Sequence, residues 1–199
     1  MDNFFPKDEN NNKFDFLEAP PLTIKDMRIQ ENMMGGGNNP DNKNKLIEEI
    51  AKARPKASWK TYIPDQQYGV VITLPHENFI SGTLTDINNS ERQIYIDMFN
   101  VPDNLQKQGL GTKLLKSLTA EAKYYNATML NGHITSDSAL KTTAKVFDKE
   151  NLQFYNHVTG KKLDLTYEQA LKENPDMNII VDLNKIDTSN WERPLRDDR

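Results

Sequence analysis

The sequence predicts a mixed α/β fold of the α+β kind, an antiparallel meander followed by βαβ units. Three observations carry that reading. Runs rich in β-branched residues between residues 69 and 101 are joined by short polar turns, the pattern of an antiparallel meander. Behind them, helical and strand-like periodicities alternate as far as residue 183. Between the two halves stand Gly109 and Gly111, at the mouth of an amphipathic helix where each costs about 1 kcal/mol of helix propensity.

The elements follow in chain order. Residues 1–43 carry asparagine-rich pieces (ENNNK, GGGNNPDNKN) and the pair Pro20-Pro21, a composition that predicts a flexible arm. Its apolar islands, Phe4-Phe5 and Phe14 to Leu17, are candidate docking points for a protein partner. The folded domain is expected over 44–185, with a polar tail over 186–199 that carries Trp191 and Leu195. Leu46, Ile47, Ile50 and Ala51 share one face of a helix over Lys45–Ala53, which Pro55 follows.

The meander strands are Gly69–Leu74, Phe79–Thr85 and Gln93–Val101, with turns at Pro75–Asn78 and Asp86–Ser90. Leu110, Leu114, Leu118 and Ala122 then recur every four residues, a helix to about Tyr125. Thr128–Thr135 reads as a strand, and Ser136 supplies N-cap chemistry for a helix carrying Leu140, Ala144 and Phe147. Leu152–His157 is a short strand. Thr166 and Gln169 have capping-box spacing for a short helix that Pro175 closes, and Asn178–Leu183 is the last strand.

Composition narrows the function. The 199 residues suit one domain with extensions, 36% hydrophobic and 27% charged. The net charge of −4 argues against nucleic acid as the main ligand, because phosphate neutralisation needs a basic surface. There is no cysteine, which excludes disulfides and a thiol nucleophile, and the three histidines are too scattered in sequence to predict a metal site. The N-terminus lacks a signal-peptide layout and no apolar run approaches a membrane span, so a soluble, cytoplasmic protein with no membrane partner is expected.

The chemistry is expected at the glycines. A strand, a polar loop and a glycine-bearing helix start place several backbone N–H groups in one concavity, where they and the helix dipole suit a phosphate or pyrophosphate. Lys107 and Thr112 add a charge and a hydroxyl. Neither the G-x-G-x-x-G nor the G-x-x-x-x-G-K-[ST] pattern is satisfied, so the dinucleotide and P-loop readings fail on residue identity.

Gln106-x-x-Gly109-x-Gly111 instead resembles the Q/R-x-x-G-x-G/A signature of the GNAT N-acetyltransferase superfamily. FISGTLTDI and QIYIDMFNV look like that family's third and fourth strands, and TMLNGHIT with the helix through Phe147 like its fifth strand and fourth helix. The resemblance covers about residues 45–184 and implies acetyl-CoA lying in a V-shaped split between the fourth and fifth strands. The pyrophosphate would meet the amides of Gln108, Gly109, Leu110, Gly111 and Thr112, with Gln106 and Lys107 closing the loop. The backbone near Phe99 and Val101 would pair with the pantetheine. No metal is implied.

Several catalytic candidates follow. Asp97, an acid between apolar strand neighbours, sharing parity with Tyr95, Phe99 and Val101, is the candidate base; an outward-facing strand acid is the plainer alternative. The family's proton-donating tyrosine aligns with Phe147, which cannot donate. Tyr155, Ser136 and Ser138 are the substitutes, and His133 is a further candidate base. The resemblance therefore implies an N-acetyltransferase acting on an unidentified amine. A catalytically silent module that binds a protein partner and a nucleic-acid base modifier are the alternatives. Acceptor choice is expected from loops at Asp65–Tyr68 and His76–Asn78 and from the helix Thr166–Lys172, a candidate lid or homodimer element.

Overall fold

The computed structural model describes residues 40–62, 67–88, 91–173 and 176–196. The chain divides into two units, residues 1–48 and 49–199. Of the first, the described part is the opening of helix α1 (Pro40–Lys52), which starts five residues before the expected Lys45. The rest of the predicted arm lies outside the described residues.

The second unit is built on a nine-stranded sheet in the order β7-β6-β8-β5-β4-β3-β2-β1-β9. The strands are β1 (Lys56–Tyr62), β2 (Gln67–Leu74), β3 (Asn78–Asp86), β4 (Arg92–Asn100), β5 (Ala127–Ile134), β6 (Leu152–Asn156), β7 (Lys162–Leu163), β8 (Met177–Asp182) and β9 (Leu195–Arg196). The helices are α2 (Leu110–Tyr124), α3 (Asp137–Phe147) and α4 (Tyr167–Lys172). The expected meander is present as β2-β3-β4, all antiparallel, and β4 then pairs parallel with β5 through the α2 crossover.

Period-two burial explains the strands. Val70, Ile72 and Leu74 of β2 and Ile80, Gly82 and Leu84 of β3 are buried on one face. Against β2, β3 and β4 packs α2, whose Leu110, Leu114, Leu115 and Leu118 are all at most 2% exposed. α3 lies beside α2 and buries Leu140, Ala144 and Phe147 as its spacing predicts, and Ser136 caps it by accepting from the Ala139 amide at 3.2 Å. The capping box at α4 is complete, Thr166 N–H donating to Gln169 Oε1 and Gln169 N–H to Thr166 Oγ1.

The β2–β3 hairpin turns through His76 and Glu77, both at positive φ (60° and 58°), without a glycine. Buried Asn78 holds that turn, donating to the Pro75 and His76 carbonyls at 2.7 and 3.1 Å.

Three strands were not expected. β7 pairs antiparallel with β6. β1, KASWKTY, pairs antiparallel with β2, and β9, from the polar tail, adds parallel to the outer edge of β1. The tail is held by α2. Ser117 donates to the Glu192 carbonyl, Lys123 to the carbonyls of Leu183 and Ile186, and Arg193 and Arg196 reach the fully buried Glu121.

Candidate active site

β4 and β5 share a register only from Arg92↔Ala127 to Ile96↔Gly132, although β4 runs on to Asn100 and β5 to Ile134. Past Ile96 the two strands part, and a cleft of about 950 Å³ opens between them. Its walls are β4 from Tyr95 to Asn100, β5 from Gly132 to Ile134, the loop from Val101 to Lys107 and the first turns of α2 and α3.

A β-bulge sits where the strands part. Ser81 of β3 pairs with Met98 and Gly82 with Ile96, which leaves Asp97 as the extra residue. The expected strict alternation through Asp97 is thus broken, because a bulge re-aims the side chains around it. Gly82 stands opposite the bulge, and a Cβ there would lie 2.9 Å from the Tyr95 carbonyl oxygen. Asp97 opens onto the cleft and accepts from Thr83 Oγ1 at 2.8 Å. Crowding by the cleft walls raises its carboxyl pKa above the ordinary value, and the Thr83 hydrogen bond pulls the other way. Tyr95, also lining the cleft, has its phenol pKa raised by desolvation and then by the Asp97 charge.

The loop after β4 is shaped by its own residues. Gln106 Nε2 donates to the Val101 carbonyl at 3.2 Å and to Asp103 Oδ1 at 2.7 Å, tying the loop's exit to its entry. Lys107 is left-handed (φ 63°), and so is Gly109, the N-cap of α2 (φ 79°). The first backbone bond of α2 runs from the Lys113 amide to the Gly109 carbonyl. The amides of Lys107, Gly109, Leu110, Gly111 and Thr112 donate to no partner among the described residues. These are the donors a phosphate would use.

Gly111 keeps the approach open: a Cβ there would stand 3.2 Å from the Phe99 ring and 3.6 Å from Thr142. Unbonded amides, a glycine that clears the way and the β4 edge that β5 leaves unpaired together fit an extended phosphate-bearing ligand.

Of the residues singled out in the sequence, the structure brings Asp97, Phe99, Val101, Gln106, Lys107, Gly111, His133, Ser136 and Ser138 to this cleft. Gln108 and Gly109 are exposed on the loop, Leu110 has its side chain in the core, and Thr112 follows in the first turn of α2. Tyr155 is elsewhere. It lies on β6, which β8 separates from β5, and its hydroxyl donates to Gln153 Oε1 at 3.1 Å, so it does not serve this cleft. Phe147 is 1% exposed and packs 6.2 Å from the Trp191 ring at the far end of α3. Its missing hydroxyl therefore has no bearing on proton supply in the cleft. Tyr95, Gly132, Thr142 and Thr143 line the cleft without having been singled out as site residues. Only the pairing of β4 with β5 and the packing of α3 bring them there.

Comparison with known proteins decides the family. Residues 38–148 match the model of the acetyltransferase (GNAT) domain, more than half of the chain. The chain belongs to the GNAT acetyltransferase family. The match runs from α1 to the end of α3 and so contains the whole cleft.

Solved structures similar to this GNAT chain include a GNAT-family acetyltransferase from Staphylococcus aureus Mu50. It is 15% identical, with 79% of this chain and 88% of that one covered, at a TM-score of 0.37. A Bacillus subtilis acetyltransferase solved in complex with CoA is 12% identical, covering 65% and 99%, at 0.38. An acetyltransferase from Agrobacterium tumefaciens is also 12% identical, covering 77% and 91%, at 0.37. No curated protein matches the chain. Among the described residues no helix is long and apolar enough to cross a membrane.

Proposed function

We propose that this GNAT protein is an N-acetyltransferase that moves the acetyl group of acetyl-CoA to an amine by direct attack within the β4–β5 cleft. The observation that carries the reading is the conjunction of five unbonded amides within Lys107–Thr112 with a partly desolvated carboxylate, Asp97, in the same cleft. In this reading the amides and Lys107 hold the pyrophosphate, Gly111 lets it approach, and the free edge of β4 near Phe99 and Val101 aligns the pantetheine.

Asp97 accepts the proton of the incoming ammonium, directly or through one water, so that the amine can attack the thioester carbonyl. Main-chain N–H groups on the free edge of β4 are the donors for the oxyanion. The Ser136 and Ser138 hydroxyls, at the α3 end of the cleft, stand nearest in kind to the proton donor that a leaving thiolate needs.

The silent-module reading loses its main support, since Phe147 lies outside the cleft. The nucleic-acid reading fares no better. Of the lysines clustered around α2, Lys113 donates to the Ala51 and Ala53 carbonyls, Lys123 to Leu183 and Ile186, and Lys116 sits over Trp191. They knit the domain together instead of forming a phosphate-binding surface.

Incubating the protein with acetyl-CoA and a panel of small amines, amino acids and peptide N-termini, with free thiol as the readout, tests the proposal. Amine-dependent thiol release is expected. CoA binding without release by any amine class would favour the silent module.

A further inference from the structure

Beyond acyl transfer, three residues distant in sequence meet at the outer side of the cleft. His133 is the last residue but one of β5, His157 follows β6, and Asp176 precedes β8. β8 lies between the other two strands, with Asn178 opposite His133 and Met177 opposite Asn156. The register therefore converges the three side chains.

His133 Nε2 is 2.8 Å and His157 Nδ1 3.6 Å from the same oxygen, Asp176 Oδ1. One ligand-type atom from each residue lies within 4.8 Å of the others. The imidazoles stack at 4.9 Å and 26°, and His157 Nδ1 also lies 3.2 Å from the Asp176 backbone carbonyl oxygen.

We propose that His133, His157 and Asp176 form a binding site for a divalent transition-metal ion of the Zn²⁺ type. Tetrahedral ligands with bonds of about 2.0–2.1 Å stand roughly 3.3 Å apart, and the two observed separations bracket that value. Small side-chain adjustments suffice. Two imidazoles and one carboxylate select transition metals over Mg²⁺ and Ca²⁺, which take oxygen ligands. Three protein ligands leave at least one coordination position open, as in zinc sites that also take water or substrate. The side chains are partly solvent-exposed, 35% for each histidine and 64% for Asp176, which gives an ion a way in.

His133 also lines the cleft. A bound ion would tie the β5 wall to β6 and β8 and turn His133 from a candidate base into a ligand, since a metal-bound nitrogen cannot take a proton. The proposal does not depend on acyl-CoA binding, and its test does not use activity.

The untagged full-length chain, stripped with chelator and dialysed, is titrated with Zn²⁺ by calorimetry, and with Co²⁺ to read its ligand-field absorption. One site per chain of micromolar affinity is expected, with Co²⁺ bands of tetrahedral or five-coordinate type. Excess Mg²⁺ should not compete. Asp176→Asn and His157→Gln should each weaken binding by roughly tenfold or more while circular dichroism stays native. Absence of a saturable site, competition by Mg²⁺, or affinity unchanged in both variants would overturn the proposal.

Discussion

Asp97 has no ladder partner on β3, though its carboxylate accepts from Thr83 of that strand, and the bulge that takes it out of register also turns it onto the cleft beside Tyr95. Its pKa is raised by crowding, so the folded carboxyl keeps its proton to a higher pH than the unfolded one. Ionisation of Asp97 therefore lowers stability as pH rises between those two values, and the loss persists at neutral pH. Because the side chain is open to solvent, screening keeps that loss small. Asp97→Asn is expected to leave the melting temperature unchanged or slightly higher while lowering kcat by about 10²- to 10⁴-fold with little effect on CoA affinity. The wild-type kcat/KM should climb along an acid limb centred above the ordinary aspartate value of about 3.9, a limb that the variant lacks. Rates that fall equally in both proteins at every pH would remove Asp97 as the base.

At the scale of elements, α2 has two jobs on two faces. Its N-terminus presents the bare amides, and its outer face clasps the tail. Glu121, 0% exposed, accepts from Trp59 Nε1 at 3.2 Å, from Arg193 at 3.0 and 3.2 Å and from Arg196 at 3.1 Å, while both guanidinium groups stack over Tyr124. Replacing Glu121 with alanine leaves the two arginines without their anchor and is expected to cost about 3–5 kcal/mol in chemical denaturation. Ending the chain after Ile186 should cost a comparable amount, and the two changes together should cost less than their sum. Strictly additive losses would show that the tail and Glu121 do not act as one unit.

The same tail shows where the sequence could not be read. β2, β3, β4, α2, α3 and the α4 capping box each announce themselves through local periodicity or turn chemistry. β1 and β9 do not. KASWKTY intersperses lysines with small and aromatic residues, and Leu195-Arg196 is too short to carry a period. Both become strands only because a sheet edge is waiting for them, and that edge is a property of the assembled domain. The burial of Glu121 has the same origin, because its arginine partners lie in the tail, far along the chain.

At the scale of the whole molecule, the site was legible where its chemistry is local and hidden where it depends on register. Gln106, Gly109 and Gly111 could be read together because loop, cap and approach lie within six residues. The bulge at Asp97, the parting of β4 from β5 and the meeting of His133 with His157 and Asp176 arise from strand pairing across the sheet. Tyr155 looked close in chain order, yet β8 inserts between β5 and β6 and carries it away. The central claim joins both kinds of feature: amides within Lys107–Thr112 and a free β4 edge that hold one acyl-CoA. Calorimetry of acetyl-CoA against the full chain tests it most directly. The account predicts one site of micromolar or tighter affinity, abolished in a folded variant carrying Gly109→Trp and Gly111→Trp. A folded wild-type protein that binds no acetyl-CoA, or a double variant that binds it as well as wild type, would contradict it.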